Sequence, residues 1–438
     1  MPRESPPYHA GCVGRFRLSL DAARRDATRR DAHFFRSFVV DILSTDETMR
    51  LMICAPRAEY EPEGASVSMR IFYPTHATPS RVALFRPANV ESWRMYYGML
   101  LFEFSSRLRA LGRAGSALVE AFCFFVWVIM RCFATVRATK NAPVIDDGKA
   151  LDVIVFSHGL AGFGTCNANF AVELARRGFV VACVEHRDGS AVAYKRVVKS
   201  EGWRRRCRRV EWGMYMPNGG KFECRREQTS KRVAEIVASA RCVDEINEGT
   251  FRPNLLDFGA KTSTRVLSSL RQRLNVDSKT LCGFSFGGGA AVTASADVKD
   301  FKRVVALDAW LEYMTDERML SRACKLPTLS VISEKWGANA KTNNAFHLKR
   351  GKKQFYEIEI PNSRHHDFSD VSFFLAFARK TLGMTGKINV RIFHAFLADL
   401  TASFARLTSS AEKNLARVVS EYSADLPYAT FRKWNLDE

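Results

Sequence analysis

The stretch Gly283-Phe284-Ser285-Phe286-Gly287 sets a serine two residues from a glycine on either side, and Gly288 and Gly289 follow at once. Packing alone gives no reason to crowd small residues around one hydroxyl. A tight strand-to-helix turn does, because it strains the serine backbone and leaves no room for side chains beside it. Leu281 and Cys282 read as the end of a strand and AAVTASA as a helix, so the pentapeptide predicts a nucleophile elbow with Ser285 at its tip and Gly283 and Gly287 as its steric allowance.

A serine hydroxyl at its ordinary pKa is a poor nucleophile and needs an imidazole base oriented by an acid, which follow the elbow in the order serine, acid, histidine. Asp308 closes the apolar run Val304-Val305-Ala306-Leu307 and so falls at the C-terminal edge of the sheet, where open α/β sheets hold their sites. His365 follows the strand-like QFYEIEI and the loop PNSR. Each has a rival, Glu334 after the strand PTLSVIS and His366 next in the chain. A tetrahedral intermediate also needs two amide donors. Phe286 supplies one, and Leu160, in the glycine-rich loop FSHGLAGFG, offers the other.

These residues require a scaffold of alternating strands and helices. LDVIVF (151–156) is a buried strand run, ANFAVELARR a helix stopped by Gly178, and FVVACVEH the next strand. Residues 228–247 carry Val233, Ile236, Val237, Ala240 and Val243 at helical spacing. RVVALD, PTLSVIS and QFYEIEI add strands, and VSMRIFYP alternates from Val67 to a proline. The pattern predicts an α/β protein with a mostly parallel sheet. A single domain over 1–438 is expected, with N-terminal strands and inserted helices in 1–140, the core in 141–384 and a C-terminal helical segment in 385–438.

With 438 residues, 47% hydrophobic, the chain has material for a large core and is not disordered as a whole. Its formal charge of +20 favours polyanions, whether nucleic acid, acidic lipid or phosphorylated ligands. Eleven cysteines, an odd number without CxxC pairs, read as reduced and packed thiols. The N-terminus has no apolar stretch of a secretion signal, and Pro2 stands where a myristoylation signal needs glycine. An intracellular protein is expected, cytoplasmic or peripheral to a membrane.

Taken together, VFSHGLAGF (155–163), ELARRGFVVACVEHRDGSA (173–191), GFSFGG (283–288), ALDAW (306–310), ISE (332–334) and SRHHDFSDVSF (363–373) resemble the platelet-activating factor acetylhydrolases, or lipoprotein-associated phospholipases. The likeness extends more weakly to GCVGRF, RIFYP and the terminal FRKWN. It implies an α/β-hydrolase fold without metal or other cofactor and hydrolysis of short or oxidised sn-2 acyl esters of glycerophospholipids. It also implies Ser285 as nucleophile, Asp308 as acid in preference to Glu334, His365 as base, and Leu160 and Phe286 as oxyanion donors. The chain departs from that pattern at Phe284, where the family usually has histidine, at His366-Asp367, and in insertions near 20–50 and 90–140.

Other signals weigh less. His186-Arg187-Asp188 resembles a kinase catalytic loop, yet no asparagine follows at the required spacing and no phosphate loop precedes it. WRRRCRRVEW (203–212) mixes basic and aromatic residues, as single-strand binders do, but in one isolated run it reads as a solvated face or a patch for acidic headgroups, and no nucleic-acid partner is expected. The lipophilic segment 118–136 is a candidate lipid interface through Phe124, Phe125 and Trp127, a position the resemblance also implies. Its uncharged run, 121–130, falls short of the roughly 20 residues a bilayer requires.

Overall fold

The computed structural model describes residues 9–12, 53–54, 67–81, 90–131, 134–199, 207–217, 221–251, 265–296, 301–314, 326–338, 354–374, 385–406, 411–427 and 429–434. The insertion at 20–50 and positions 203–206 of the basic run lie outside the described residues.

The chain begins with β1 (His9–Cys12), β2 (Ile53–Cys54) and β3 (Ser68–Thr75), then a helical hairpin of α1 (Trp93–Ala110) and α2 (Gly112–Met130). Next come β4 (Ala138–Lys140), β5 (Leu151–Ser157), α3 (Ala168–Arg176), β6 (Phe179–Glu185), β7 (Ala193–Lys199), β8 (Cys207–Met214) and α4 (Phe222–Glu248). The second half contributes β9 (Leu274–Phe284), α5 (Phe286–Ala294), β10 (Phe301–Leu307), β11 (Thr328–Ser333), α6 (Glu334–Ala338) and β12 (Phe355–Ile360). A 3₁₀ turn at His365–Phe368, a single helical turn at Val371–Phe374, α7 (Val390–Ala405), α8 (Ala411–Glu421) and β13 (Thr430–Trp434) complete the described elements.

Among the described residues ten strands form one sheet in the order β13-β12-β11-β10-β9-β5-β6-β3-β1-β4. The central run from β12 to β6 is parallel throughout. β13 and β3 join its two edges antiparallel. Strands β2, β8 and β7 make a separate antiparallel sheet. This mostly parallel sheet between helical layers is the α/β architecture that the sequence implies.

Apolar residues on both faces of each central strand explain the layering. In β5, Ile154 and Phe156 turn to one side, against Phe170 and Leu174 of α3 and Phe396 and Leu400 of α7. Leu151 and Val153 turn to the other, toward Val243 and Ile246 of α4, and Val155 meets Ile236 and Ala291 there. β6 repeats the alternation, since side chains two apart share a face. Each such residue buried in full contributes about 1.5–3 kcal/mol, so a strand apolar on both sides is stable only with helices above and below it. Cys183 and Cys282 pack here as buried free thiols. Helix α4 is longer than its apolar spacing suggests, because its first half buries a polar face of Arg225, Gln228, Thr229, Arg232 and Glu235. Gly249, at φ +80°, ends it in the left-handed conformation.

Helix α7 carries one buried titratable group in the core, His394, whose Nε2 donates to the Asp367 carbonyl at 2.9 Å. Burial pushes its pKa down from 6.5 to about 4. The unfolded chain therefore takes up this proton below pH 6.5 while the folded chain stays neutral, so the associated stability is complete above pH 6.5 and is lost as pH falls toward 4. At about 1.4 kcal/mol per pKa unit the loss approaches about 3 kcal/mol. His394→Gln is expected to flatten the decline of melting temperature between pH 6.5 and 4, measured against wild type by calorimetry. Parallel acid limbs in the two proteins would show that His394 does not carry it.

Candidate active site

Ser285 sits between β9 and α5 at φ +55° and ψ −121°, a conformation that costs a side-chain-bearing residue of order 1–3 kcal/mol. The turn is held by the Ser285 amide donating to Leu307 O at 2.9 Å and by Trp310 N donating to Ser285 O at 2.9 Å. The flanking glycines are a matter of contact. A Cβ on Gly283 would come within 2.2 Å of Gly287 O, and one on Gly287 within 2.2 Å of Ser157 O.

Three side chains from three strand ends meet at this turn. His365 Nε2 lies 2.9 Å from Ser285 Oγ, and His365 Nδ1 lies 2.7 Å from Asp308 Oδ2. Asp308 is wholly buried at the end of β10, at φ +44°. Its carboxylate also accepts from Ser333 N at 2.7 Å and from Ser333 Oγ at 2.8 Å. The buried anion thus has donors on both oxygens, as an ion out of water requires. Such a chain can take a proton from the serine hydroxyl and stabilise the imidazolium that results.

The rival acid and base have other places. Glu334 is exposed at the start of α6, where Oε2 accepts from Asn362 N at 2.9 Å and braces the loop leading to His365. His366 sets its ring edge-on to that of His365 at 6.0 Å, while the bonds to Ser285 and Asp308 are made by His365; burial, and then the neighbouring His365, push the His366 pKa down to about 4. Asp367 caps the 3₁₀ turn, with Oδ2 accepting from Arg364 N and Gly386 N, each at 2.8 Å. His365 itself lies between two aromatic rings: Trp336 stacks on it at 4.3 Å and 15°, and Phe284 faces it at 4.8 Å and 32°. Ser333 and Trp336 escape sequence reasoning because nothing local distinguishes them, although Ser333 stands inside the quoted ISE.

The proposed oxyanion residues flank the same turn. Phe286 opens α5, where an amide has no intrahelical acceptor. Leu160 follows β5 in a turn whose next amides are already engaged, Ala161 N with Ser190 O at 2.9 Å and Gly162 N with Gly159 O at 3.2 Å. Beneath this turn lies a buried polar layer built from the H-R-D segment. His186 joins Ser157 Oγ at 2.8 Å and Glu235 Oε2 at 2.7 Å, and Glu235 Oε1 accepts from Arg187 N at 3.0 Å. Burial drives the Glu235 carboxyl up to about 7 and the His186 pKa well down.

The structure divides the three interface candidates. Phe125 is 63% exposed, whereas Phe124 and Trp127 are half-buried. Trp127 turns inward, its Nε1 donating to Val90 O at 3.1 Å and its ring packing on the cluster of Met95, Phe163 and Val192. The exposed apolar stripe of α2 is instead Leu118, Phe122, Phe125 and Ile129. Counting uncharged residues understated this helix. It runs 19 residues through Arg113 and Glu120 and is long and apolar enough, by length and composition, to cross a membrane.

The chain is similar to platelet-activating factor acetylhydrolase of Canis lupus familiaris, 29% identical over 245 residues covering 55% of this chain and 52% of that one. The guinea-pig protein of the same name, from Cavia porcellus, is 26% identical over 283 residues, 64% of this chain and 62% of that one. The chain therefore spans between about half and two thirds of the length of these relatives. A ferulic acid esterase from Streptomyces cinnamoneus is similar at a TM-score of 0.49, with 15% identity over 83% of this chain and 93% of that one. The family model for platelet-activating factor acetylhydrolase, isoform II, matches residues 55–419, and the chain belongs to that family.

Proposed function

We propose that this chain is a serine esterase that hydrolyses short or oxidised sn-2 acyl esters of glycerophospholipids at a membrane surface. The observation that carries the reading is the continuous hydrogen-bonded path from Ser285 Oγ through His365 to the buried Asp308 carboxylate. Family membership supports the phospholipid class.

In this reading Ser285 Oγ attacks the ester carbonyl as its proton passes to His365 Nε2. The oxyanion forms against the amides of Phe286 and Leu160. Collapse breaks the ester bond, and the departing lysophospholipid alcohol takes the proton from His365. Water then attacks the acyl-serine, gives a proton to His365, and the free acid leaves as that proton returns to Ser285. Asp308 holds His365 in the tautomer with Nε2 facing the serine.

The hairpin of α1 and α2 supports surface contact. Trp127 and Cys123 turn inward, and Leu118, Phe122, Phe125 and Ile129 leave an exposed apolar face for lipid. Phe163 and Ala161, in the same loop as Leu160, pack in the same cluster as Trp127, so the lipid-facing helix adjoins the site.

Ser285→Ala and His365→Gln are expected to lower turnover of 2-acetyl phosphatidylcholine by about 10⁴-fold or more, while His366→Gln retains most of it. Undiminished turnover in Ser285→Ala would end the proposal. A series of sn-2 chain lengths is expected to show rates falling steeply beyond short or oxidised chains; equal rates on palmitoyl esters would contradict the acyl class. The double change Leu118→Ser and Phe125→Ser, which removes two exposed side chains worth about 1.5–3 kcal/mol each in lipid, is expected to weaken partition onto phosphatidylcholine vesicles at least about tenfold. Sedimentation indistinguishable from wild type would reject the surface assignment.

A further inference from the structure

Helix α4 passes beneath the oxyanion loop and sends Arg232 into it. This side chain is fully buried, and among the described residues it is the largest side chain that is. Its Nη1 donates to His158 O, and its Nη2 donates to Gly159 O at 3.3 Å and to Ser190 Oγ at 2.6 Å. Nε reaches Asp188 Oδ2 at 3.1 Å and Ser190 Oγ at 3.2 Å. Asp188 is buried as completely as the arginine, so the charge has its counterion inside the protein. The guanidinium also lies 4.5 Å from the centroid of the Phe286 ring.

The geometry of the peptide unit gives these contacts a meaning. Gly159 C=O and Leu160 N–H belong to one trans peptide, whose oxygen and hydrogen point in opposite directions. Drawing the oxygen down toward Arg232 turns the Leu160 N–H the other way, toward the Ser285 side of the loop, where Gly159 packs: a Cβ on Gly159 would meet Ser285 Cβ at 3.2 Å. The same oxygen accepts from Gly162 N at 3.2 Å and from His158 Nδ1 at 2.8 Å, and an amide whose carbonyl is so engaged is a stronger donor. Phe286, whose ring rests on the same guanidinium, carries the second amide.

We propose that Arg232, held by Asp188 and Ser190, is the positioning residue of the oxyanion site, fixing the Leu160 peptide from below and the Phe286 residue from its ring face. It touches no substrate. The inference rests on the esterase reading above and gives the H-R-D segment, which no kinase chemistry explains, a role in that reaction.

Arg232→Lys and Ser190→Ala test it. Lysine keeps the charge but lacks the planar fork that serves two carbonyls and a hydroxyl together, and Ser190→Ala removes one anchor while leaving the Arg232–Asp188 pair. Three quantities are measured on each folded variant: kcat and KM for a water-soluble p-nitrophenyl ester, and the inhibition constant of a trifluoromethyl ketone, whose serine adduct is an oxyanion. Arg232→Lys is expected to lower kcat by about 10²-fold, as loss of one oxyanion donor does, to weaken the ketone in parallel and to leave KM within a few-fold. Ser190→Ala is expected to do the same to a smaller extent. If Arg232→Lys does not fold, Ser190→Ala decides. Wild-type kcat in the folded variants, or a fall in kcat with unchanged ketone affinity, would overturn the inference while leaving the esterase reading in place. A wild-type protein that neither turns over the ester nor reacts with a fluorophosphonate overturns both.

Discussion

The left-handed backbone at Ser285 is the constraint on which the rest of the C-terminal sheet edge depends. At φ +55° the residue spends free energy of order 1–3 kcal/mol, and the turn persists because its surroundings over-determine it. Leu307 O and Trp310 N bond the serine main chain from β10 and its following loop. Gly287 packs onto the Ser157 carbonyl of β5. Helix α5 is buried along its whole length, so the turn cannot relax without lifting that helix off the sheet. A hydroxyl raised on such a turn stands clear of its own strand, where an imidazole from another strand can meet it.

Tight contact between α5 and β5 brings a cost in polar groups, and the layer under the site answers it. Ser157, His158, His186, Asp188, Ser190, Arg232 and Glu235 are all nearly or fully buried. Left without partners, each would forfeit about 1–3 kcal/mol or more, so the layer is stable only as a connected whole. Neutral histidines suit it. Burial lowers the pKa of both His158 and His186 well below the usual value, so neither adds a second positive charge beside Arg232. His158 can then donate through Nδ1 to Gly159 O and accept the His186 amide at Nε2.

How much of this the amino-acid order discloses depends on the range of the interactions. The elbow is legible because its mark in the sequence is confined to five residues, although the carbonyl that demands Gly287 comes from Ser157 on β5, and the parallel strands because apolar residues on both faces make continuous runs. Asp308 and His365 are legible as strand-end residues in the required order, but choosing them over Glu334 and His366 is a matter of tertiary distance. Glu334 lies one strand over and bonds the Asn362 amide, a contact no local pattern announces. Arg232 hides for the same reason. Its helix shows apolar spacing from Val233 onward, and a charged residue next to that run reads as solvated until the fold closes over it. The uncharged run 121–130 is shorter than the helix that contains it. Arginine and glutamate are good helix formers, so Arg113 and Glu120 extend α2.

Phe284 has a physical part in the site beyond the turn it precedes. It lies on β9 immediately before the elbow, and its ring faces His365 on one side while Trp336 stacks on the other. Trp336 is fixed in turn by its Nε1 bond to Ala309 O at 3.0 Å. Two π-faces leave the imidazole free to rotate only in its own plane, and there the Asp308 and Ser285 hydrogen bonds set its direction. Aromatic faces also attract a cation, by about 0.5–2 kcal/mol depending on desolvation, so the clamp offers a matching surface to the positive charge on the ring during proton transfer from Ser285. A histidine at 284 could itself become protonated beside that charge and repel it. Phenylalanine supplies the same flat surface without a titrating group, and the proton taken from Ser285 then has one imidazole to occupy.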